Sequence, residues 1–459
     1  MPTRIFLPRN LLCAVACICM MISCGSNTES IGKISIITLD PGHFHAALVQ
    51  KTMYPEVDSV VHVYAPPGND LQWHLDRILA YNNNPDHPTT WKERVYAGPD
   101  FFEKMLEDKP GSVVVLAGNN LRKSEYIVKS LQAGLNVYAD KPMAIDSAGF
   151  ETLKQSFDVA AKNKLLLYDI MTERFEITSV LQRELAKSAD VFGTLEKGTA
   201  EHPSVIKESV HCLYKNVSGK IVTRPAWFLD AAQQGDGLTD VMTHLVDLVQ
   251  WECFPDQSID YKTDILVNTA RRWPTNIGRT QYTAITNRDS FPDYLKKNVQ
   301  HDTTLNIYCN GEINYTLRGV HAKTTASWAY QAPGGNDTYH AIMQGSKSVL
   351  EIRQTEVEKF QPALYIRPVK NDTAYATALQ QAIAGLQKDY PGLAVQRNKE
   401  GWQLVIPDKF REGHESHFAR VTQHFLEYLQ HHDLPAWEVP GMLAKYYTTI
   451  QAWEKAGNL

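Results

Sequence analysis

Short apolar runs alternate with amphipathic stretches along the first third of the chain. The runs are rich in β-branched residues and predict strands at 33–39, 59–64, 112–117, 135–139 and 164–168. The stretches between them carry apolar residues at helical spacing and predict helices at 44–53, 71–81, 100–106, 124–133 and 150–162. Strands that alternate with helices at this spacing predict a Rossmann-like, doubly wound parallel α/β sheet.

The pattern changes beyond about residue 175. Helices are still predicted at 177–188 and 241–252, but residues 264–353 mainly alternate apolar with polar positions. Asn310-Gly311 within that stretch predicts a hairpin turn. Helices at 418–430 and 440–455 are predicted near the end of the chain. The second part is therefore expected to be an α+β domain with a large, mostly antiparallel sheet.

Length and composition agree with two globular domains. The chain has 459 residues, with 43% hydrophobic and 21% charged positions, so a single core is not expected to serve all of it. The expected divisions are a Rossmann-like dinucleotide-binding domain at 33–172 and an α+β domain at 173–459, with an insertion at about 370–405. The formal net charge of −5 argues against nucleic acid as a partner.

The first thirty residues predict an exported protein. Arg4 and Arg9 precede an uncharged apolar run at 11–22, which is too short to span a bilayer but typical of a signal peptide. The run ends in Met-Ile-Ser-Cys-Gly, which resembles a bacterial lipobox with Cys24 as the acylated residue. We expect 1–23 to be a lipoprotein signal peptide and 24–32 a tether to the cell envelope, periplasmic or surface-facing. An ordinary signal peptide is the alternative.

The first strand-to-helix turn is where a dinucleotide-binding fold grips pyrophosphate. Here the turn reads Asp-Pro-Gly-His-Phe-His-Ala-Ala, so Gly42 is the one glycine left of the usual three. Gly42, His43 and Phe44 are the candidate cofactor contacts. The end of the second strand reads Tyr64-Ala65, without the acidic residue that often holds the ribose of NAD. This turn alone is weak evidence for a nucleotide.

A stronger signal follows in residues 113–144, VVVLAGNNLRKSEYIVKSLQAGLNVYADKPMA. This segment resembles the Gfo/Idh/MocA family, the relatives of glucose–fructose oxidoreductase and inositol dehydrogenase. The alignment needs no gap between the turn after the strand and the Lys-Pro pair. It implies cofactor contacts at Ala117, Asn120, Asp140 and Lys141, with Asp140 in place of the family's glutamate. Lys141 is the implied active-site lysine.

Two later segments continue the resemblance. Thr-Glu-Arg-Phe at 172–175 matches the family's crossover into the second domain and adds Arg174 as a cofactor contact. Residues 235–247 resemble a glycine-rich element followed by Asp-x-x-x-His-x-x-Asp, which places Asp240 and His244 four residues apart. That spacing puts them on one helix face. A lone Asp-x-x-x-His would instead indicate a helix cap and a buried histidine.

The resemblance implies an oxidoreductase that uses NAD or NADP on a secondary alcohol of a sugar, glycoside or cyclitol. It implies His244 as acid/base, Lys141 as the group that polarises the reacting oxygen and Asp240 as their partner, all three contacting substrate, with the lysine and histidine roles exchangeable. It also implies a homo-oligomer. The export signal raises two alternatives: an NAD-dependent glycosidase that retains its cofactor, and a sugar-binding lipoprotein without catalysis.

No metal site is expected. His414 and His417 lie three residues apart at a predicted helix start, but no third ligand is visible. Cys212, Cys253 and Cys309 have no metal-ligand spacing, and we expect buried thiols with one disulfide as the alternative. His43 and His45 border the cofactor turn, where a place in the site and packing against the helix are both consistent with the sequence.

Overall fold

The computed structural model describes residues 33–217, 220–331 and 336–457. The predicted signal peptide, the tether and Cys24 lie outside these residues. Among the described residues, none of the helices is both long and apolar enough to cross a membrane. The structure also forms no disulfide among Cys212, Cys253 and Cys309.

The first sheet is fully parallel and has six strands in the order β3-β2-β1-β4-β5-β6. Its strands are β1 Ile36–Leu39, β2 Val60–Ala65, β3 Lys92–Ala97, β4 Val113–Leu116, β5 Asn136–Asp140 and β6 Leu167–Ile170. The helices that connect them are α1 His45–Leu48, α2 Asn69–Asn82, α3 Phe101–Asp108, α4 Lys123–Gln132 and α5 Ser147–Asn163. This strand order is that of a dinucleotide-binding sheet, and it confirms the Rossmann-like prediction.

Two elements of this sheet differ from the prediction. The first helix, α1, has four residues instead of ten, and the chain after it leads through turns to Val57, which bridges Ile34 ahead of β1. The edge strand β3 was not predicted, because its sequence KERVYA is mostly polar and its side chains face solvent or are half-buried. An edge strand needs less apolar pattern than a central one.

The second sheet has ten strands and is mostly antiparallel. Its order is β10-β12-β13-β7-β14-β15-β16-β18-β17, with β11 paired to β12 and a parallel pair between β13 and β7. The strands are β7 Val205–Cys212, β10 Ile265–Gly278, β11 Val299–Gln300, β12 Thr304–Leu317, β13 Val320–Ala329, β14 Thr338–Gln344, β15 Ser348–Gln354, β16 Ala363–Pro368, β17 Ala394–Arg397 and β18 Trp402–Val405. A small hairpin, β8 Asn216–Val217 with β9 Lys220–Ile221, lies apart.

The helices of the second part mostly flank this sheet. They are α6 Ile177–Ala186, α7 Ala231–Gln234, α8 Met242–Cys253, α9 Arg279–Thr286, α10 Asp293–Lys296, α11 Thr373–Leu386, α12 His414–His431 and α13 Glu438–Lys455, with 3₁₀ turns at Thr172–Phe175, Ala226–Leu229 and Asp408–Phe410. The predicted insertion at 370–405 contains α11, β17 and β18, and the two strands extend the sheet at one edge. The predicted fold class is confirmed.

The hairpin prediction at Asn310-Gly311 is wrong. Both residues lie inside β12, and the chain reverses at Arg318 and Gly319, which adopt φ values of 51° and 77°. Gly311 serves close packing instead, since a Cβ atom there would lie 2.5 Å from the carbonyl oxygen of Gly237. The glycine therefore allows the segment before α8 to approach the sheet.

The two C-terminal helices pack against the parallel sheet. Phe418 and Phe425 of α12 and Tyr446 of α13 belong to the same hydrophobic cluster as the strands β1, β4 and β5. The rings of Tyr138 and Phe425 stack at 4.4 Å between centroids. A chain segment far from the first domain in sequence thus completes its core and brings α12 next to the carboxyl ends of the parallel strands.

Candidate active site

The carboxyl ends of β1, β4 and β5 meet at one edge of the parallel sheet, as they must in a parallel arrangement. The first turn is hydrogen-bonded to the end of β4, because the backbone N–H of His43 donates to the Ala117 carbonyl at 3.1 Å. A Cβ atom on Gly118 would lie only 2.0 Å from the Asp40 carbonyl oxygen, so the two turns touch through backbone. Gly42, His43, Ala117 and their neighbours therefore lie where the sequence predicted.

Lys141 and Asp240 form a buried ion pair at this edge. Lys141 follows directly after β5 and is joined to Pro142 by a cis peptide bond. Asp240 comes from the turn before α8. Lys141 Nζ donates to Asp240 Oδ1 at 2.7 Å, and the side chains are 9% and 8% exposed. The tertiary structure thus joins two predicted site residues from the two parts of the chain.

His244 lies in the first turn of α8, whereas Asp240 precedes that helix, so the predicted shared helix face is only approximate. The His244 Nδ1 atom is buried and has no hydrogen-bond partner among the described residues. Burial, and next the Lys141 ammonium, hold the pKa of His244 well below the usual value of a histidine. The imidazole is therefore neutral at physiological pH and has a nitrogen available to a ligand.

Asp140 is held by the two histidines of the first turn. His45 Nδ1 lies 2.9 Å from Asp140 Oδ2 and His43 Nδ1 lies 3.9 Å from it. Burial alone would raise the pKa of Asp140, but His45, Lys123 and His43 outweigh it and hold the carboxyl ionised.

Among the described residues, one group could supply ligand atoms to a metal ion. The ring nitrogens of His43 and His45 and a carboxylate oxygen of Asp140 lie within 4.8 Å of one another. A metal ion is thus compatible with their spacing. However, the backbone N–H of His45 already donates to His43 Nδ1 at 3.3 Å, and His45 Nδ1 lies 2.9 Å from Asp140 Oδ2. These ligand atoms thus have hydrogen-bond partners without an ion, and the Lys123 ammonium, which donates to the Asp140 backbone carbonyl at 2.9 Å, opposes a cation nearby.

Residues 225–234, named the strap here, cover the carboxyl ends of the parallel strands. Asn120 donates to the strap twice, from its backbone N–H to Gln233 O at 2.9 Å and from Nδ2 to Gln234 O at 2.7 Å. Asn119 Nδ2 donates to Gln233 Oε1 at 2.7 Å. The strap is thereby attached to the turn after β4 by three hydrogen bonds.

The strap also reaches the first turn. Trp227 Nε1 donates to Asp70 Oδ2 at 2.7 Å, and a Cβ atom on Gly42 would lie 2.8 Å from the Trp227 ring. The indole therefore rests on the glycine that would face a pyrophosphate. A dinucleotide that extends along this edge must displace or slide beneath the strap.

The part of the site around Asn120, Lys141 and His244 fits a polar ligand. Asn120 Oδ1, like His244 Nδ1, is buried without a hydrogen-bond partner among the described residues. A buried acceptor without a donor is costly, so an N–H or O–H donor of a ligand is the expected complement. Asn120, Lys141 and His244 are consequently the residues that would hold the reactive end of a cofactor and its substrate.

A small cavity beside Asp240 is lined in part by residues of the strap. Trp328 and Phe228 form apolar walls, and Gln234 and Tyr308 add polar groups. The Arg224 guanidinium lies over both rings, at 4.5 Å from the centroid of Phe228 and 5.2 Å from that of Trp328. The combination of aromatic faces and a few polar groups is typical of a carbohydrate site.

Arg174, a predicted cofactor contact, is held in a buried network of ion pairs. Its guanidinium binds Asp247 through Nε and Nη2 at 2.7 and 2.6 Å, and Glu438 through Nη1 at 3.0 Å to each oxygen. Lys445 completes the buried network at 2.8 Å from Asp247. Its donors are thus used in joining the first crossover to α8 and α13.

The sequence offered no signal for several residues of this site. Lys123 lies in an amphipathic helix where a solvated lysine is the default, and its burial lowers its pKa to about 8. Arg224, Trp227 and Asp70 belong to no motif. His414 of α12 does reach the site, because its ring lies 5.3 Å from that of His45. His417, on the same helix, is buried.

A Rossmann-like sheet, a large, mostly antiparallel sheet and a buried polar site between them are the features of an oxidoreductase, and the comparisons agree. The family model "Putative oxidoreductase C terminal domain" matches residues 181–457. A crystal structure described as a "putative oxidoreductase from Parabacteroides merdae ATCC 43184" is 51% identical, covers 93% of this chain and 98% of its own, and has a TM-score of 0.90. The chain belongs to the Gfo/Idh/MocA-type oxidoreductases.

More distant structures share the fold. The myo-inositol 2-dehydrogenase from Lactobacillus plantarum is 12% identical, with coverage of 92% and 97% and a TM-score of 0.54. KijD10, a 3-ketoreductase from Actinomadura kijaniata in complex with NADP and TDP-benzene, is 14% identical, with coverage of 92% and 96% and a TM-score of 0.54. A search of curated proteins found no match.

Proposed function

We propose that this oxidoreductase transfers a hydride between a nicotinamide cofactor, NAD or NADP, and a secondary alcohol of a sugar, glycoside or cyclitol. The observation that carries the proposal is the buried Lys141–Asp240 pair beside a neutral His244 at the carboxyl edge of a Rossmann-like sheet. Solved neighbours of the same fold include a myo-inositol 2-dehydrogenase and a 3-ketoreductase in complex with NADP, which supports this proposal.

The three residues divide the proton chemistry. Bound nicotinamide supplies a hydride acceptor or donor at the reacting carbon. His244, neutral because it is buried, takes the hydroxyl proton during oxidation and returns it during reduction. The ammonium of Lys141 donates to the reacting oxygen as negative charge develops on it, and Asp240 holds the lysine in place at 2.7 Å.

The remaining predicted contacts position the cofactor. Asn120 Oδ1 is buried and can accept a hydrogen bond from a donor of the ligand. Asp140 and His45, whose side chains lie 2.9 Å apart, form the base of the site. Substrate would enter the cavity beside Asp240, where Trp328 offers an apolar face to a sugar ring. The aromatic face stabilises the ring while the polar groups select its hydroxyls.

Activity of variants tests the assignment. Lys141→Met and His244→Gln should each lower kcat by at least about a hundredfold, because each removes a group that acts in the transition state. The exposed Lys129→Met and His431→Gln are matched controls and should keep full activity. Full turnover of either site variant, with a panel of sugars, glycosides and cyclitols as substrates, would refute the proposal.

A redox glycosidase that retains its cofactor is the second candidate. The strap favours it, because its hydrogen bonds to Asn119, Asn120 and Asp70 would slow the release of a nucleotide beneath it. Denaturing the purified protein and assaying the supernatant for nicotinamide separates the cases. Stoichiometric cofactor with glycoside cleavage and no net reduction supports the glycosidase. An empty protein that shows no thermal shift with NAD(H) or NADP(H) favours a non-catalytic binding protein.

We also propose that the protein is a lipoprotein of the cell envelope, anchored through Cys24. The lipobox-like sequence supports this, since acyl chains on the cysteine bury enough methylene groups for stable attachment. Cys24→Ser should move the protein from the membrane fraction to the soluble fraction, whereas Cys212→Ser should not. An unchanged membrane fraction for Cys24→Ser would count against the anchor.

A further inference from the structure

The end of β2 lacks the carboxylate that an NAD-binding sheet usually places there. The strand ends at Ala65 after Tyr64, and the next acidic residue, Asp70, lies in the first turn of α2. The intervening Pro-Pro-Gly segment turns the chain back toward the first turn of the sheet. Asp70 is therefore near the cofactor cleft, although it lies beyond the end of β2 in the sequence.

Asp70 lies beside the single glycine of the first turn. A Cβ atom on Gly42 would be 3.1 Å from Asp70 Oδ2. The same oxygen accepts a hydrogen bond from Trp227 Nε1 at 2.7 Å, so the strap fixes the orientation of the carboxylate. This is the position, next to the first turn and the end of β2, at which a dinucleotide fold binds the adenosine ribose.

We propose that Asp70 accepts hydrogen bonds from the adenosine ribose hydroxyls and makes this protein select NAD over NADP. The inference rests on the proposed nicotinamide function and names its cofactor. A carboxylate accepts from vicinal hydroxyls, whereas a 2′-phosphate would bring negative charge against it. Asp40 lies close enough to repel Asp70 electrostatically, so two carboxyl groups disfavour a phosphate here.

Two arginines lie close enough to attract Asp70 electrostatically. Arg77 and Arg288 both attract its carboxylate, and Arg77 Nη1 also donates to the Trp73 carbonyl at 3.0 Å. While Asp70 is charged, it offsets these cations. Once it is neutral, the arginines are left to attract a phosphate, so removal of the charge should raise the affinity for NADP(H) as well as lower it for NAD(H).

Binding measurements on the full chain test this without relying on turnover. Dissociation constants for NADH and NADPH are determined by calorimetry for the wild type, for Asp70→Asn and for Asp76→Asn, an exposed aspartate on the same helix. The wild type should favour NADH by at least about tenfold, and Asp70→Asn should lower that ratio by at least about tenfold. Asp76→Asn should leave the ratio unchanged.

Trp227→Phe removes the hydrogen bond to Asp70 while it keeps an aromatic ring, and it should lower the ratio by a smaller factor with little change in the melting temperature. A wild type that prefers NADPH, or an Asp70→Asn ratio equal to that of the wild type, overturns the inference and leaves the proposed function standing. A wild type that binds neither nucleotide overturns both. Melting curves of each variant show that a changed ratio comes from a folded protein.

Discussion

Lys141 and Asp240 are separated by 99 positions in the chain, yet Nζ and Oδ1 lie 2.7 Å apart in a buried contact. A buried ion pair contributes little net stability, because desolvation of both charges offsets their attraction. Its partners come from the end of a parallel strand and from the turn before α8. The pair thus couples the cofactor edge of the first sheet to the cavity of the second part.

Single substitutions in this pair should destabilise the fold more than the double substitution does. Lys141→Met leaves the Asp240 carboxylate buried without an opposite charge, and Asp240→Asn leaves the Lys141 ammonium in the same state. Each variant should lower the free energy of unfolding by about 3–5 kcal/mol. The double variant Lys141→Met/Asp240→Asn buries no net charge. We expect it to recover most of that stability in chemical denaturation while it remains inactive.

Recovery of stability without activity separates a catalytic role from a structural one. If the double variant were as unstable as the single variants, the two charges would not act as a pair. If it kept full turnover, the pair would be structural alone.

Arg174 should be essential for stability and not for cofactor binding. Arg174→Met removes the guanidinium that pairs with Glu438 and leaves Lys445 as the cation paired with Asp247. We expect the free energy of unfolding to fall by about 3–5 kcal/mol. Arg271→Met, in a pair whose arginine is 67% exposed, is the control and should cost about 0–1 kcal/mol. Urea denaturation measures both. A weaker NADH affinity with unchanged stability would instead restore the cofactor role that the sequence predicted for Arg174.

Gly237 should tolerate no side chain. A Cβ atom there would lie 2.0 Å from the backbone carbon of Asn310, so Gly237→Ala forces apart the turn that carries Asp240 and the strand beneath it. We expect a loss of about 1–3 kcal/mol in the free energy of unfolding, together with lower activity. Gly385→Ala, in α11 with open space around it, should stabilise the protein by about 0.5–1 kcal/mol. Equal melting temperatures of the two variants would contradict this packing.

Asp40 should make stability depend on pH. Burial, aided by Asp70, raises its pKa from 3.8 to about 6, so the folded state holds the proton more tightly than the unfolded state does. The resulting stabilisation is complete below pH 3.8 and is lost as the pH rises through about 6. Asp40→Asn removes this dependence, and asparagine tolerates the φ of 50° at this position.

The melting temperature of Asp40→Asn should therefore exceed that of the wild type more at pH 7.5 than at pH 4.5. The expected difference at the higher pH corresponds to about 1–3 kcal/mol. A difference that does not change between the two pH values would show that Asp40 titrates normally in the folded protein.

The sequence by itself determined the fold class, because strand and helix periodicities depend on local burial patterns that the parallel sheet preserves. The strands β4 and β5 and the helix α4 lie within a few residues of their predicted positions. The same continuity of pattern carried the resemblance through Asn120 and Lys141. The polar edge strand β3 and the short helix α1 were missed, since each is defined by its neighbours more than by its own residues.

Only the tertiary structure decided what each polar residue does. Asn310-Gly311 has the local composition of a turn, but contact with Gly237 makes it part of a strand. Arg174 follows a family motif, yet its guanidinium is used by Asp247 and Glu438. Asp70 belongs to no motif and reaches Gly42 through a bend of the chain and a hydrogen bond from Trp227. Such contacts join residues that are distant in the chain, so local sequence carries no record of them.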